Sequence, residues 1–160
     1  MRRLVLFAIG ALAALAVGAT GAYFTAQAQV PENMIRAGSV AVSTEPTAAA
    51  ISIDALAPGG TVTKPLTLVN DGNLPVSVVV TAAKKAGITD FYDALTCRVL
   101  SDGLVVYDGP MTTLKTSPVT LQPGARSQLQ FGVGLPTAAG NTLAGAYAKV
   151  TLYVDSEQVK

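Results

Sequence analysis

The strongest constraint on what this chain can fold into is a period of two. After residue 36, apolar and polar side chains alternate in run after run, the pattern of strands that bury one face and wet the other. "SVAVS" sets Val40 and Val42 on one face, and "AISIDAL" does the same with Ile51, Ile53 and Ala55. "VTKPLTLVN" alternates through Leu66 and Leu68, and "LPVSVVVTA" offers Leu74, Val76, Val78 and Val80 against Ser77, Val79 and Thr81. "LQFGVGL" offers Leu129, Phe131, Val133 and Leu135. "AYAKVTLYV" predicts Ala148, Val150, Leu152 and Val154 inward, with Tyr147, Lys149, Thr151 and Tyr153 outward, while "LVVYDG" is a shorter strand with a weaker pattern.

Turn chemistry separates these runs. "NDGN" (70–73) supplies residues that tolerate positive φ and reads as a hairpin between two strands. "APGG" (57–60) and "QPGA" (122–125) are Pro-Gly turns, with proline preset for the second turn position and glycine free for the third. Each follows a leucine and leads into a strand, a faint internal echo that suggests two sheets built from similar units. Helix signals are sparse: "ITDFYDAL" (88–95) predicts one turn capped by Thr89 or Asp90. The expected architecture is all-β: a single antiparallel two-sheet sandwich of jelly-roll or immunoglobulin-like type.

The N-terminus is different. "MRRLVLFAIGALAALAVGAT" has two arginines and then no polar side chain from residue 4 to 17, the layout of a secretory signal. An uncleaved membrane anchor is the competing reading, made poorer by Gly10, Gly18, Gly21 and the abundance of alanine. Two cleavage sites are plausible, "TGA" ending at Ala22 and "AQA" ending at Ala28. Loss of Arg2 and Arg3 from the 11 basic residues would leave nine against 10 acidic ones, a net charge near −1. That balance is no footprint for nucleic acid or an anionic membrane, so membrane contact is expected only through the signal before cleavage.

The inventory for chemistry is thin. There is no histidine, which removes the commonest general base and metal ligand, the Ser-His-Asp and Cys-His arrangements, and the HExxH zinc motif. "GNTLAG" (140–145) lacks the Lys-Ser/Thr of a phosphate loop. Asp90 with Asp93, and Asp71 with Asn73, are close in sequence but make no calcium loop with alternating ligands and a closing glutamate. The lone Cys97 cannot form an internal disulfide; sharing a strand face with Leu95 and Val99, it reads as a small buried hydrophobe or, alternatively, as an intermolecular bridge. No cofactor and no catalytic residue is expected. What remains is surface: Tyr147 and Tyr153 on the last strand, and sheet edges that invite another strand.

Together these segments resemble the TasA/camelysin family of secreted bacterial fibre proteins. "GATGAYF" closes the signal, and "MIRAGSVAVS" is similar to the family's apolar residue before an A-G-T/S-hydrophobic start. "LAPGGTVTKPLTLVNDGNLPVSVVVTA" resembles its L-x-P-G, its strand ending in Asn-x-Gly and its following apolar strand. "LQPGARSQLQFGVGLPTAAGNTLAGAYAKVTLYVDSEQ" resembles a second L-x-P-G, F-x-V-x-L-P, A-x-N-x-x-x-G and a closing strand with a late Gln.

The resemblance implies a jelly-roll-like sandwich, processing by a signal peptidase, and secretion into extracellular matrix fibres or pili. In such fibres the segment freed by cleavage adds as a strand to a neighbouring copy of the same chain, a form of β-augmentation. By carry-over, residues 1–22 are the signal, 23–35 the donor segment and 36–160 the sandwich. Cleavage near Ala22 or Tyr23 leaves residues 24–35, in which Phe24, Ala26, Ala28 and Val30 alternate and would fill a groove. Pro31 interrupts the ladder, and Met34 and Ile35 follow that break. A cut at Ala28 leaves only residues 29–35, too short to hold a fibre well. Some camelysin relatives are described as metalloproteases; without histidine or a zinc constellation, that activity is not carried over. A monomeric cell-surface binding module held by an uncleaved N-terminal helix is the alternative to the fibre subunit, and a metal-dependent protease a more distant third.

Overall fold

The computed structural model describes residues 25–29, 40–47, 50–54, 56–143 and 145–159. Among them run ten strands and one short helix: β1 (Thr25–Gln29), β2 (Val42–Glu45), β3 (Ala50–Asp54), β4 (Thr61–Asn70), β5 (Val76–Gly87), α1 (Thr89–Ala94), β6 (Thr96–Ser101), β7 (Leu104–Pro110), β8 (Val119–Leu121), β9 (Arg126–Gly134) and β10 (Tyr147–Gln158). They form two five-stranded antiparallel sheets, the architecture expected from the alternation. The first is ordered β1-β10-β5-β8, with β3 also on β10; the second is ordered β2-β4-β9-β6-β7.

The alternating residues meet between the sheets. Val76, Val78, Val80, Val150, Leu152 and Val154 from the first sheet and Leu66, Leu68, Val99, Leu129, Phe131 and Val133 from the second are buried, and belong to one continuous core. Phe91 and Tyr92 of α1 and Met111 after β7 join that core. The residue at the cap position before the helix is Ile88, which makes no side-chain cap. Neither Thr89 nor Asp90 caps it as expected; buried Phe91 and Tyr92 hold the turn instead, an instance of packing outweighing propensity.

Three sequence expectations need correcting. First, "NDGN" is not a hairpin: β4 and β5 lie in different sheets, so residues 70–73 carry the chain across the sandwich. Asn70 is fully buried there. Its Nδ2 donates to the Leu74 and Leu121 carbonyls at 2.9 and 3.1 Å, and its Oδ1 accepts from the Gly72 N–H at 3.0 Å. Second, the two Pro-Gly units do not found separate sheets. Both turns form as expected, with Gly59 and Gly124 in the left-handed region. The strands that follow them, β4 and β9, pair antiparallel from Thr61 opposite Gly134 to Val69 opposite Arg126, so the echo lies within one sheet. Third, Thr151 is buried and Tyr153 half-buried, because β10 has neighbours on both edges that shield its outer face.

The two ends of the sandwich are distinct. One carries the 70–76 crossing, the "QPGA" turn and the β6–β7 hairpin. The other carries Gly87, α1, the "APGG" turn and the start of β10. The Cys97 thiol is buried, between inward-facing Leu95 and Val99, which fits the small-hydrophobe reading and leaves no exposed sulfur for a bridge.

Candidate functional site

The feature that sets this sandwich apart is how one edge of β10 is covered. On one side β5 pairs with β10 along nearly its whole length. On the other side two short strands lie end to end. β3 covers residues 147–151, ending at Ala50 opposite Thr151. β1 covers residues 153–157, ending at Gln29 opposite Tyr153. Both run antiparallel to β10, so they point the same way, like one strand cut in two at Leu152.

The two halves are held differently. β3 is joined to the sandwich within a few residues on both sides, through β2 and the turn before β4. β1 is separated from Val40 by residues 30–39, and it is the N-terminal strand among the described residues. Ala26 and Ala28 stand opposite Ser156 and Val154, both buried, at 4% and 1% exposure. Thr25, Gln27 and Gln29 stand opposite Glu157, Asp155 and Tyr153, which are exposed or half-buried.

Of the predicted donor residues, Ala26 and Ala28 are therefore at the β10 edge. Phe24, Val30, Met34 and Ile35 lie outside the described residues, as do the cleavage candidates Ala22 and Tyr23. Ala28, the other cleavage candidate, is inside β1. Ala50 occupies the ladder opposite Thr151, so the stretch of the β10 edge beside β1 stops at Leu152; the rest of the expected donor, to residue 35, lies outside the described residues. This limit depends on a pairing about a hundred residues apart in sequence, which no local pattern reveals.

Ser127 Oγ donates to Asp102 Oδ2 at 2.6 Å and lies 2.9 Å from Ser101 Oγ. The Gln128 N–H donates to the same carboxylate, so Asp102 holds the β6–β7 turn. Asp102 and Gly103, both at positive φ, form a two-residue hairpin between Ser101 and Leu104. The Asp-Gly pair was the available signal for that turn, and the strand reading of "LVVYDG" passed over it. On the outer face of the second sheet, a shallow depression of about 290 Å³ is lined by Thr61, Thr63, Thr96, Gln130 and the exposed pair of Arg98 and Asp108. Arg98 and Asp108 are 2.7 Å apart. Burial, with a smaller push from the charge of Asp108, raises the Cys97 thiol to about 12; burial, and then the charge of Asp93, raises Tyr92.

The chain matches the family model described as camelysin metallo-endopeptidase over residues 4–94, more than half of its 160 residues. It belongs to that family. No curated protein matches it. The family's name implies a catalytic metal, and the donors present do not fit one. The sequence contains no histidine. Among the described residues no three of Cys, Asp and Glu converge, and the one thiol is held protonated in the core. Asp90 with Asp93 and Asp71 with Asn73, the pairs noted for calcium, belong to no cluster of three Cys, Asp or Glu among the described residues. Among the described residues no helix is long and apolar enough to cross a membrane.

Proposed function

We propose that this member of the camelysin family is a secreted, non-enzymatic structural subunit that polymerises head-to-tail by donor-strand exchange into extracellular fibres. One observation carries the reading: β1 fills half of an edge of β10 whose other half belongs to β3. A five-residue strand on a ten-residue tether is an element that the same strand of another copy can replace without altering the sandwich. Every β1–β10 hydrogen bond would be re-formed in trans, in the same register. Such a contact is heterologous and does not close, so it propagates.

Export fits the same scheme. Residues 1–22 act as the signal and are removed by a signal peptidase near Ala22 or Tyr23, leaving β1 intact at the new N-terminus. A cut after Ala28 would leave only Gln29 of β1 and so remove the docking strand. The donor core is then Ala26 and Ala28, flanked by Phe24 and Val30; Met34 and Ile35 serve the tether.

The pairing of β1 within its own chain favours a second reading, a closed monomeric module at the cell surface. Negative-stain electron microscopy of the mature protein separates the two. Filaments of uniform width, abolished when residues 24–35 are deleted, support the subunit; filaments from the deleted protein, or single particles from the intact one at high concentration, refute it.

A further inference from the structure

Strand exchange says what links two copies, not how their bodies meet, and the direction of β1 bears on this. β1 runs from the hairpin end of the sandwich, where Thr25 faces Glu157, toward the end where β10 begins. Val40, by contrast, precedes β2 back at the hairpin end, since Val42 pairs with Asn70. Within one copy β1 therefore points away from Val40. Between copies, the link from Gln29 to Val40 can lead past the start of β10 to the hairpin end of a neighbour.

The tether is short. From Gln29 to Val40 it reaches at most about 36–40 Å at 3.3–3.6 Å per residue. From Tyr153, opposite Gln29, to Tyr147 at the end of the sheet takes roughly 20 Å of that. No more than about 20 Å remains, so the neighbour's hairpin end is held close against the start of β10.

Those two ends carry the large hydrophobic side chains that are exposed among the described residues. Leu104 and Val105, 75% and 55% exposed, project at the tip of the β6–β7 hairpin. Ile88 and Tyr147, 46% and 44% exposed, sit together at the opposite end, where the Ile88 N–H donates to the Tyr147 carbonyl at 3.0 Å. We infer that a second copy docks end-on, its Leu104 and Val105 seated on Ile88 and Tyr147, and that this contact stiffens the chain of copies. The inference rests on the strand-exchange reading, which supplies the orientation.

The opposite placement of the two patches makes the test specific. Leu104→Glu and Tyr147→Lys, made singly and together in the mature chain, are compared by electron microscopy; circular dichroism verifies folding at these exposed positions. Strand passage is followed independently by mixing Gln27→Cys copies with Asp155→Cys copies, whose disulfide forms only in trans across the β1–β10 register. Each single substitution is expected to turn straight filaments into short or flexible ones while the trans disulfide still forms. The double substitution is expected to restore straight filaments, and only contact between copies can produce that rescue. Straight filaments from both single variants, or no rescue in the double, overturn the end-on contact. Absence of the trans disulfide in otherwise native copies refutes strand exchange itself, and the inference with it.

Discussion

Asn70 is the buried polar residue on which the joining of the two sheets depends, and its replacement by leucine, close in volume, tests that claim. The side chain is fully buried and makes three hydrogen bonds, to the Leu74 and Leu121 carbonyls and from the Gly72 N–H. Its backbone adds two more to the "QPGA" turn: its N–H donates to the Ala125 carbonyl at 3.0 Å, and its carbonyl accepts from Gly124 at 2.9 Å. Leucine retains the backbone pair but takes the donor from two carbonyls, while the Gly72 N–H keeps the Ala41 carbonyl at 3.2 Å. A buried polar group left unsatisfied costs about 1–3 kcal/mol. One of the two carbonyls' bonds is only partly buried, so water recovers some of the loss, and the expected destabilisation is about 2–4 kcal/mol. For a chain of this size each kcal/mol moves the melting midpoint by about 2–4 °C. The melting midpoint followed by circular dichroism should therefore fall by roughly 4–16 °C. Asn70→Asp adds a diagnostic. Its carboxylate would face two carbonyl oxygens, so burial and repulsion raise its pKa, and the variant should be less stable at neutral pH than near pH 4, at about the ordinary carboxyl pKa. A leucine variant melting within a degree or two of the native chain would refute the assigned role.

Three further predictions follow from single residues. Gly87 has φ +101°, and a Cβ there would collide with the Tyr147 carbonyl oxygen, whereas Gly103 at φ +88° has nothing within 4 Å; Gly87→Ala should lose most soluble protein, and Gly103→Ala only about 1–2 kcal/mol by chemical denaturation. The folded-state pKa of Cys97 lies above its ordinary 9.0, at about 12, so its burial contributes fully below pH 9 and is lost as pH rises toward 12. Urea midpoints should decline across that window by up to about 1.4 kcal/mol per pH unit, and less steeply in Cys97→Ala. Asp102→Ala removes the acceptor for Ser127 and Gln128 from a residue at φ 48°; the loss should be about 1.5–3 kcal/mol in the same assay, with Asp102→Asn milder because asparagine tolerates that conformation.

The core was legible because burial acts on a local period. Leu129, Phe131 and Val133 alternate in sequence and are buried in the structure for one reason, the pleat of β9. Turn types were legible where proline and glycine dictate φ, as in both Pro-Gly turns. What the sequence did not expose was pairing. "NDGN" is as good a hairpin signal as Asp102 and Gly103, yet only the latter forms one. Asn70 instead finds the carbonyls of Leu74 and Leu121, and the second of these is 51 residues away. The candidate site divides in the same way. The alternation of Ala26 and Ala28 could be read directly, whereas the limit set by Ala50 and the half-burial of Tyr153 required knowing which strands flank β10.

Strand exchange alone does not favour a filament, and this is the strongest argument for a second contact. A strand leaving its own groove for an identical one gains no hydrogen bond and buries no new surface. The closed copy, meanwhile, holds its own strand at an effective concentration in the millimolar range for a short tether. At micromolar protein that advantage is roughly a thousandfold, or about 4 kcal/mol against assembly. Two terms can offset it. One is relief of having to join Gln29 to a Val40 that lies behind the direction of β1 within a single copy. The other is new contact between bodies, and about 160 Å² of additional apolar burial at 25 cal/mol per Å² would suffice. Four large exposed apolar side chains divided between two facing ends are a reasonable source of that area. It follows that the critical concentration for filaments should rise steeply when Leu104 or Tyr147 is made charged, and fall when residues 30–39 are shortened so that the strand no longer reaches its own groove.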